Sequence, residues 1–394
     1  MKKIIRITTV PASLRGLLKG QLKFMADYFE IVGISSNLDG LLVEMGKKEG
    51  VRTITVEMTR KITPFRDIVS LYKLYKIFKK EKPDIVHTHT PKAGTLGMIA
   101  AKLAKIPNRM HTIAELPLVE ATGFKRRVLN AVETLTYSCA TKIYPNSYGL
   151  KTIILNNKFT TENKLKVIGN GSSNGINTNH FNPDLFTDKE LSSLKEKLKI
   201  KEDDFVFVFI GRIVKDKGIN ELIESFVTFE KQNKKAKLLL VGVFEAHLDP
   251  LEETTIDIIK ENNNIIHAGW QDDVRPFFAI SNALVFPSYR EGFPNVVLQA
   301  GAMKLPCIVS DINGCNEIVT DKINGLIVPV KDSEKLLNAM LEITKHNVDE
   351  LNQMGEKSRQ LIISKYDQQF VWQALLEEYN NTLEKSRNNQ HTNV

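Results

Sequence analysis

At 394 residues, 42% of them hydrophobic and 25% charged, the chain is longer than one ordinary domain and apolar enough to fill two cores. No apolar run reaches the roughly 18–20 residues of a membrane-spanning helix, and Cys139, Cys307 and Cys315 sit in no metal or redox spacing, as suits a reducing cytoplasm. The net charge of +8 is unevenly spread: residues 1–185 carry 29 Lys and Arg against 14 Asp and Glu, and the remainder 25 against 32. The first half is therefore expected to be either evenly solvated or turned toward an anionic membrane surface, lipid phosphate or nucleic acid.

In chain order, MKKIIRITTV reads as a first buried strand rather than a signal peptide, because Arg6, Thr8 and Thr9 break its apolar part. Strand-like runs follow at 31–35, 51–56, 84–89, 109–113, 141–146 and 164–169, with helical patterns between them. One early helix puts Leu14, Leu17, Leu18, Leu22 and Met25 on a face and Arg15, Lys19 and Lys23 on another. A later one aligns Ile68, Leu71, Tyr72, Tyr75 and Phe78 as its core face, with Lys73, Lys76 and Lys80 outside; Lys125, Arg126 and Arg127 open a third. Such basic stripes suit ordinary wet helix faces or an anionic lipid surface. Aromatic residues are not interleaved with them as a nucleic-acid platform would want, so no nucleic-acid partner is expected. Asn170–Phe186 is rich in Gly, Asn and Ser and reads as a joint. A second series of strands falls at 205–211, 237–242, 264–269, 283–287, 306–310 and 325–330. The alternation predicts α/β architecture with two doubly wound, Rossmann-like domains. The polar tail Lys385–Val394 is expected to be disordered.

Two segments carry the chemistry. GRIVKDKGINELIESF, Gly211 to Phe226, and PSYREGFPNVVLQA, Pro287 to Ala300, each follow a buried strand and open a helix. Strand-to-helix turns collect ligands in open α/β sheets. Arg212 and Lys217, with the helix start at Gly218, supply a guanidinium fork, an ammonium and a positive helix end, which suits a diphosphate. Taken singly, either residue reads as well as a surface cation; their order after a strand makes the pattern. Glu291 is either an acid complementing a helix dipole or a group for sugar hydroxyls. Gly292 lets backbone approach a ligand, Pro294 suits a first helical turn, and amides around Phe293 and Asn295 can donate outward. Gln299 lies two turns along the same helix. His87 and His89 form a His-x-His on a strand. No carboxylate or thiol completes a metal site, so no metal is expected; His89 is either a satisfied strand-end histidine or lines a site. Lys92, after Thr90 and Pro91, is either a solvated lysine or an acceptor-phosphate contact. Phe370, Trp372 and Tyr379 read as packing groups.

The segments HTHTPKAG (87–94), NGSSNGIN (170–177), GRIVKDKGI (211–219), PSYREGFPNVVLQA (287–300) and NGCNEIV (313–319) together resemble the family 4 retaining glycosyltransferases of the GT-B fold, over nearly the whole chain. The subgroup most similar is that of bacterial capsule, O-antigen and glycan assembly. The resemblance implies two Rossmann-like domains facing a central cleft: 1–178 for the acceptor, 179–365 for the nucleotide sugar, a crossing helix at 366–384 and a tail at 385–394. It implies His111 near the reacting carbon, Arg212 and Lys217 on the donor diphosphate, and Glu291 on the donor sugar. Gly211, Gly242, Val274, Gly292, Phe293, Pro294, Asn295 and Gln299 would complete the donor site. His89, Lys92 and Glu115 would lie on the acceptor side. Departures are Gln299 where a Glu usually grips ribose, Asn177 where the linker usually has Asp, Glu115 where a small residue is usual, and Pro11–Arg15 in place of a Gly-Gly loop.

The reading this supports is a transferase without cofactor, moving a hexosyl or N-acetylhexosaminyl group from a nucleotide sugar, UDP being the expected nucleotide. The acceptor would be a polyprenyl-diphosphate-linked saccharide, and the place the inner face of the plasma membrane. Alternatives are a nucleotide-sugar 2-epimerase of the same fold, which needs no acceptor, and a non-catalytic membrane or glycan-binding scaffold.

Overall fold

β-branched and aromatic runs with hydrophobic residues on both sides form two all-parallel sheets of six strands each. The structure is a computed structural model. It describes Met1–His391 except 62, 117, 119–120 and 246–248, with no side chains described beyond 388. The chain divides into two compact units, 1–175 with 369–394, and 176–368.

The first unit holds β1 (Lys3–Ile7), β2 (Glu30–Ser35), β3 (Arg52–Thr55), β4 (Ile85–Thr88), β5 (Asn108–Ile113) and β6 (Lys142–Pro145), in the order β3-β2-β1-β4-β5-β6. The second holds β7 (Phe205–Ile210), β8 (Ala236–Val241), β9 (Ile265–Gly269), β10 (Ala283–Phe286), β11 (Cys307–Ser310) and β12 (Gly325–Val328), in the order β12-β11-β10-β7-β8-β9. Each sheet starts at its centre, grows to one side, then returns to grow on the other. The reversal falls between β1 and β4, and again between β7 and β10. At such a switch point the loops leaving the carboxyl ends part to opposite faces and leave a crevice. The core of the second unit is aromatic around this point, with Phe209 of β7 stacked on Phe286 of β10 at 5.9 Å.

Four expectations are corrected. Residues 164–169 are no seventh strand: Leu165 makes one isolated bridge to Ile143, after which Gly169 and Gly171 turn the chain away at positive φ. The early amphipathic stretch is two short helices, Pro11–Leu17 and Gln21–Ala26, broken at Gly20, although Leu14, Leu18, Leu22 and Met25 do pack together. In the helix Pro64–Glu81 the buried row is Ser70, Leu74 and Phe78; of the expected face Leu71 and Tyr75 also pack against this core, and Ile68 and Tyr72 do not. At 3.6 residues per turn, Phe65, Ile68, Val69 and Tyr72 lie roughly opposite that row. They face solvent, Phe65 being 87% and Ile68 63% exposed. The last helix, Gln368–His391, runs through most of the tail expected to be disordered; Leu383 is buried and the Ser386 hydroxyl donates to Asn108 Oδ1 at 2.9 Å. Residues 392–394 lie outside the described residues.

Candidate active site

In the second unit the chain leaves β7 through Gly211 and Arg212, makes a 3₁₀ turn at Lys215–Lys217, and enters the helix Ile219–Gln232 at Gly218. Gly218 has φ of +72°, and a Cβ there would fall on the Pro287 carbonyl. Only glycine lets the loop after β7 lie this close to the loop after β10. The two loops are then tied by polar contacts. The Asp216 carbonyl accepts from Tyr289 N at 2.9 Å and lies 3.3 Å from Ser288 Oγ. Lys217 Nζ donates to Glu291 Oε1, and the Ser288 hydroxyl donates to the same oxygen at 2.9 Å. Both side chains of this ion pair are largely buried, 14% and 16% exposed. Both contacts fall on Oε1; among the described residues no protein donor reaches Glu291 Oε2, which leaves an acceptor for a hydroxyl.

Arg212 lies more open. Its Nη1 is 3.5 Å from Glu245 Oε2 and its Nη2 3.8 Å from Asp216 Oδ2. Arg290 Nη2 reaches the same Asp216 oxygen at 3.2 Å. Burial pushes the Asp216 carboxyl above its ordinary range, against the pull of Lys217 and Arg212. Three cations therefore gather at the β7/β10 switch point.

The helix Asn295–Ala302 starts one residue later than its sequence suggests, with Pro294 at the cap rather than inside the first turn. Among the described residues the amides of Phe293, Asn295 and Val296 donate to no protein acceptor, as expected of a helix start that can take an anion. Phe293 is buried, its ring 5.2 Å from that of Tyr366, which fixes the backbone beside it. The loop after β11 braces this segment. Asn313 Nδ2 donates to the carbonyls of Glu291 and Gly292, and Gly314, at φ +80°, lies so close that a Cβ would stand 2.6 Å from Gly292 O. Gln299 is half-buried on the same helix. Gly242, just after β8, abuts the Gly211 carbonyl. Its own carbonyl accepts from His267 Nε2 at 2.9 Å. Val274 caps the short helix Arg275–Ala279.

In the first unit His111 sits on β5 with Nδ1 2.8 Å from the Thr88 hydroxyl. Gly94, in the helix Pro91–Leu103, leaves room for its ring; a Cβ there would overlap it. Burial pulls the His111 imidazole down to about 4. His89 is buried and its Nε2 accepts from Arg6 Nε at 2.9 Å, so its proton is on Nδ1. Arg6 in turn donates to Gln21 Oε1 at 2.6 Å. His87 bridges the Tyr379 hydroxyl at 2.6 Å and the Thr112 hydroxyl at 2.8 Å. Burial holds both His87 and His89 well below the usual histidine range. Lys92 is neutralised by Asp67 at 2.6 Å. Glu115 is exposed just past β5.

The sequence matches the model for glycosyl transferases group 1 over residues 192–361 and that for glycosyl transferase 4-like domains over 12–147. It is 35% identical over 387 residues to the capsular polysaccharide biosynthesis glycosyltransferase CapM of Staphylococcus aureus, covering 98% of both chains. The chain belongs to the family 4 glycosyltransferases of GT-B fold. A second relative, the UDP-Gal:alpha-D-GlcNAc-diphosphoundecaprenol alpha-1,3-galactosyltransferase of Escherichia coli, is 31% identical and matches 79% of the transferase and 78% of its own length. Among solved structures, Anabaena Alr3699/HepE in complex with UDP and glucose superposes with a TM-score of 0.80 at 17% identity, covering 97% of the transferase and 100% of that chain.

The transferase's Asp216, Ser288, Arg290, Asn313 and Gly314 were given no role from sequence. Asp216 and Arg290 lie inside the two motifs, so position alone could have marked them. Asn313 and Gly314 open the segment NGCNEIV, but the brace itself depends on β11 lying beside β10.

Proposed function

We propose that the transferase moves a sugar from a UDP-sugar to a hydroxyl of a polyprenyl-diphosphate-linked saccharide, with retention of anomeric configuration, in surface-polysaccharide assembly. The observation that carries this reading is the gathering of Arg212, Lys217 and Arg290 with free helix amides at one switch point. These groups suit a nucleotide diphosphate, whose charge grows as the glycosidic bond breaks; donors aimed at that charge lower the barrier. Glu291 would take a donor sugar hydroxyl on Oε2 while Lys217 stays on Oε1. The departing diphosphate would accept the acceptor proton on the face it leaves. His111, neutral at working pH, would hydrogen-bond near the reacting carbon. UDP-Gal and a diphosphoundecaprenol acceptor in the name of the Escherichia coli relative support the choice of substrates.

The acceptor's lipid suggests that the transferase works as a peripheral protein on the cytoplasmic membrane face. Among the described residues no helix is long and apolar enough to cross a membrane. The solvent-facing row Phe65, Ile68, Val69 and Tyr72 continues along the same helix side into Lys73, Lys76 and Lys80, an apolar ridge running into a basic one. Nucleotide sugars should be screened against short-chain lipid-diphosphate saccharides, reading nucleotide release, product mass and anomeric coupling. Turnover of donor without acceptor would replace transfer by epimerisation, and an inverted product would remove the retaining mechanism. Vesicle sedimentation with phosphatidylglycerol against phosphatidylcholine tests the surface. Binding should prefer the anionic vesicles and fall in Phe65→Ser/Ile68→Ser; equal partitioning would exclude an electrostatic surface.

A further inference from the structure

Arg212 has two carboxylates within reach and is well bonded to neither. Glu245 is 3.5 Å away and Asp216 3.8 Å, distances at or beyond the limit of a hydrogen bond. Asp216 has further peculiarities. Its backbone is fixed on both sides, the amide donating to Asp249 Oδ2 at 2.7 Å and the carbonyl accepting from Tyr289 N at 2.9 Å. Its Oδ2 already takes Arg290. Its Oδ1 is buried and has no hydrogen-bond partner among the described residues. A buried carboxylate oxygen without a donor is costly and points to an interaction the resting arrangement does not make. A loosely held guanidinium stands beside it, that of Arg212.

We infer that Arg212 works from two positions: shared with Glu245 at rest, and forked onto both oxygens of Asp216 when a donor diphosphate is held, with Asp216 anchoring Arg290 as a third cation of the site. The inference rests on the donor reading above. Asp216 is then a positioning residue that acts through two arginines, and Glu245 competes with the diphosphate for Arg212. Glu245 holds the guanidinium only at 3.5 Å, so a diphosphate can displace it, and the Asp216 oxygen left without a donor then gives Arg212 a second seat. At rest, burial raises the Asp216 carboxyl, with Asp249 and Glu291 adding to the rise.

The test is equilibrium binding of UDP, with uridine as the control lacking phosphates, by calorimetry on the full chain. Glu245→Gln should tighten UDP by about 2- to 5-fold, the worth of a partly exposed ion pair. Asp216→Asn should weaken it by about 10-fold, since the amide puts an N–H donor against a guanidinium. Arg290→Met should weaken UDP and leave uridine unchanged. A damaged fold would weaken both ligands, and none would produce tightening, so Glu245→Gln keeps the inference falsifiable even if Asp216→Asn folds poorly. Unchanged or weaker UDP binding in Glu245→Gln, or equal effects on uridine and UDP, would overturn it. If the wild-type protein takes up uridine and UDP equally, the donor-diphosphate reading falls and the inference with it. If wild type prefers UDP and the variants match it, the inference alone falls.

Discussion

Replacing Lys217 by Ala separates a structural ion pair from a group that acts on the leaving diphosphate. The ammonium sits in a site little exposed to water, bonded to Glu291 Oε1 and 5.8 Å from the centre of the Phe286 ring. In such surroundings a unit charge about 4 Å away interacts by roughly 4 kcal/mol at an effective dielectric of about 20. Losing one preorganised donor to a developing oxyanion costs about 3–4 kcal/mol, or roughly 10²–10³-fold in kcat. The ground state changes too, because Glu291 keeps only the Ser288 hydroxyl as a protein donor. That cost is shared by Lys217→Ala and should be relieved in Lys217→Ala/Glu291→Ala. The double variant should therefore regain thermal stability without regaining turnover. The assay is nucleotide release at saturating donor and acceptor, beside thermal melts of all three proteins. Turnover of Lys217→Ala within about threefold of wild type, or recovery of turnover in the double variant, would show that the lysine only neutralises Glu291, and the stated barrier effect would be refuted.

Gly314→Ala puts a Cβ against Gly292 O at a φ of +80°; strain of about 1–2 kcal/mol and a displaced Glu291–Phe293 segment should lower kcat more than they lower melting temperature, and a variant with normal kcat would show the brace is dispensable. His111 titrates near 4 when folded and about 6.5 when unfolded. The unfolded chain binds the extra proton between those values, so stability is full above about 6.5 and falls as pH drops toward 4, by at most about 1.4 kcal/mol per pH unit per such histidine. Melts from pH 7.5 to 4.5 should show His111→Asn with a shallower decline, and parallel curves would contradict the buried imidazole. On the proposed site, where Arg212, Lys217 and helix amides would supply the positive charge, and with no Asp-x-Asp in the sequence, activity should survive EDTA; abolition by EDTA with rescue by Mg²⁺ or Mn²⁺ would overturn the phosphate assignment.

The strands of both sheets were legible because parallel strands are buried on both faces and read as continuous apolar runs, FVFVFI of β7 above all. The positions of Arg212, Lys217 and Glu291 were legible for a related reason: each follows such a run, and the carboxyl ends of parallel strands are where loops gather in an open sheet. Local pattern failed where a residue's surroundings come from afar. Ile68 and Tyr72 share a helical row with Leu71 and Tyr75, and periodicity alone could not decide which side of that row meets the sheet; Ser70, Leu74 and Phe78 took the buried side. Lys164 and Lys166 sit in a strand-like pattern, yet only one bridge forms before the chain turns away. The pairing of cations with acids was hidden for the same reason. Lys217 and Glu291 are 74 residues apart, and Asp216 and Arg290 equally so. Sequence supplied the charges and their place at strand ends. Which charge meets which is set by strand order, because β7 and β10 become neighbours only when the chain reverses its direction of growth across the sheet.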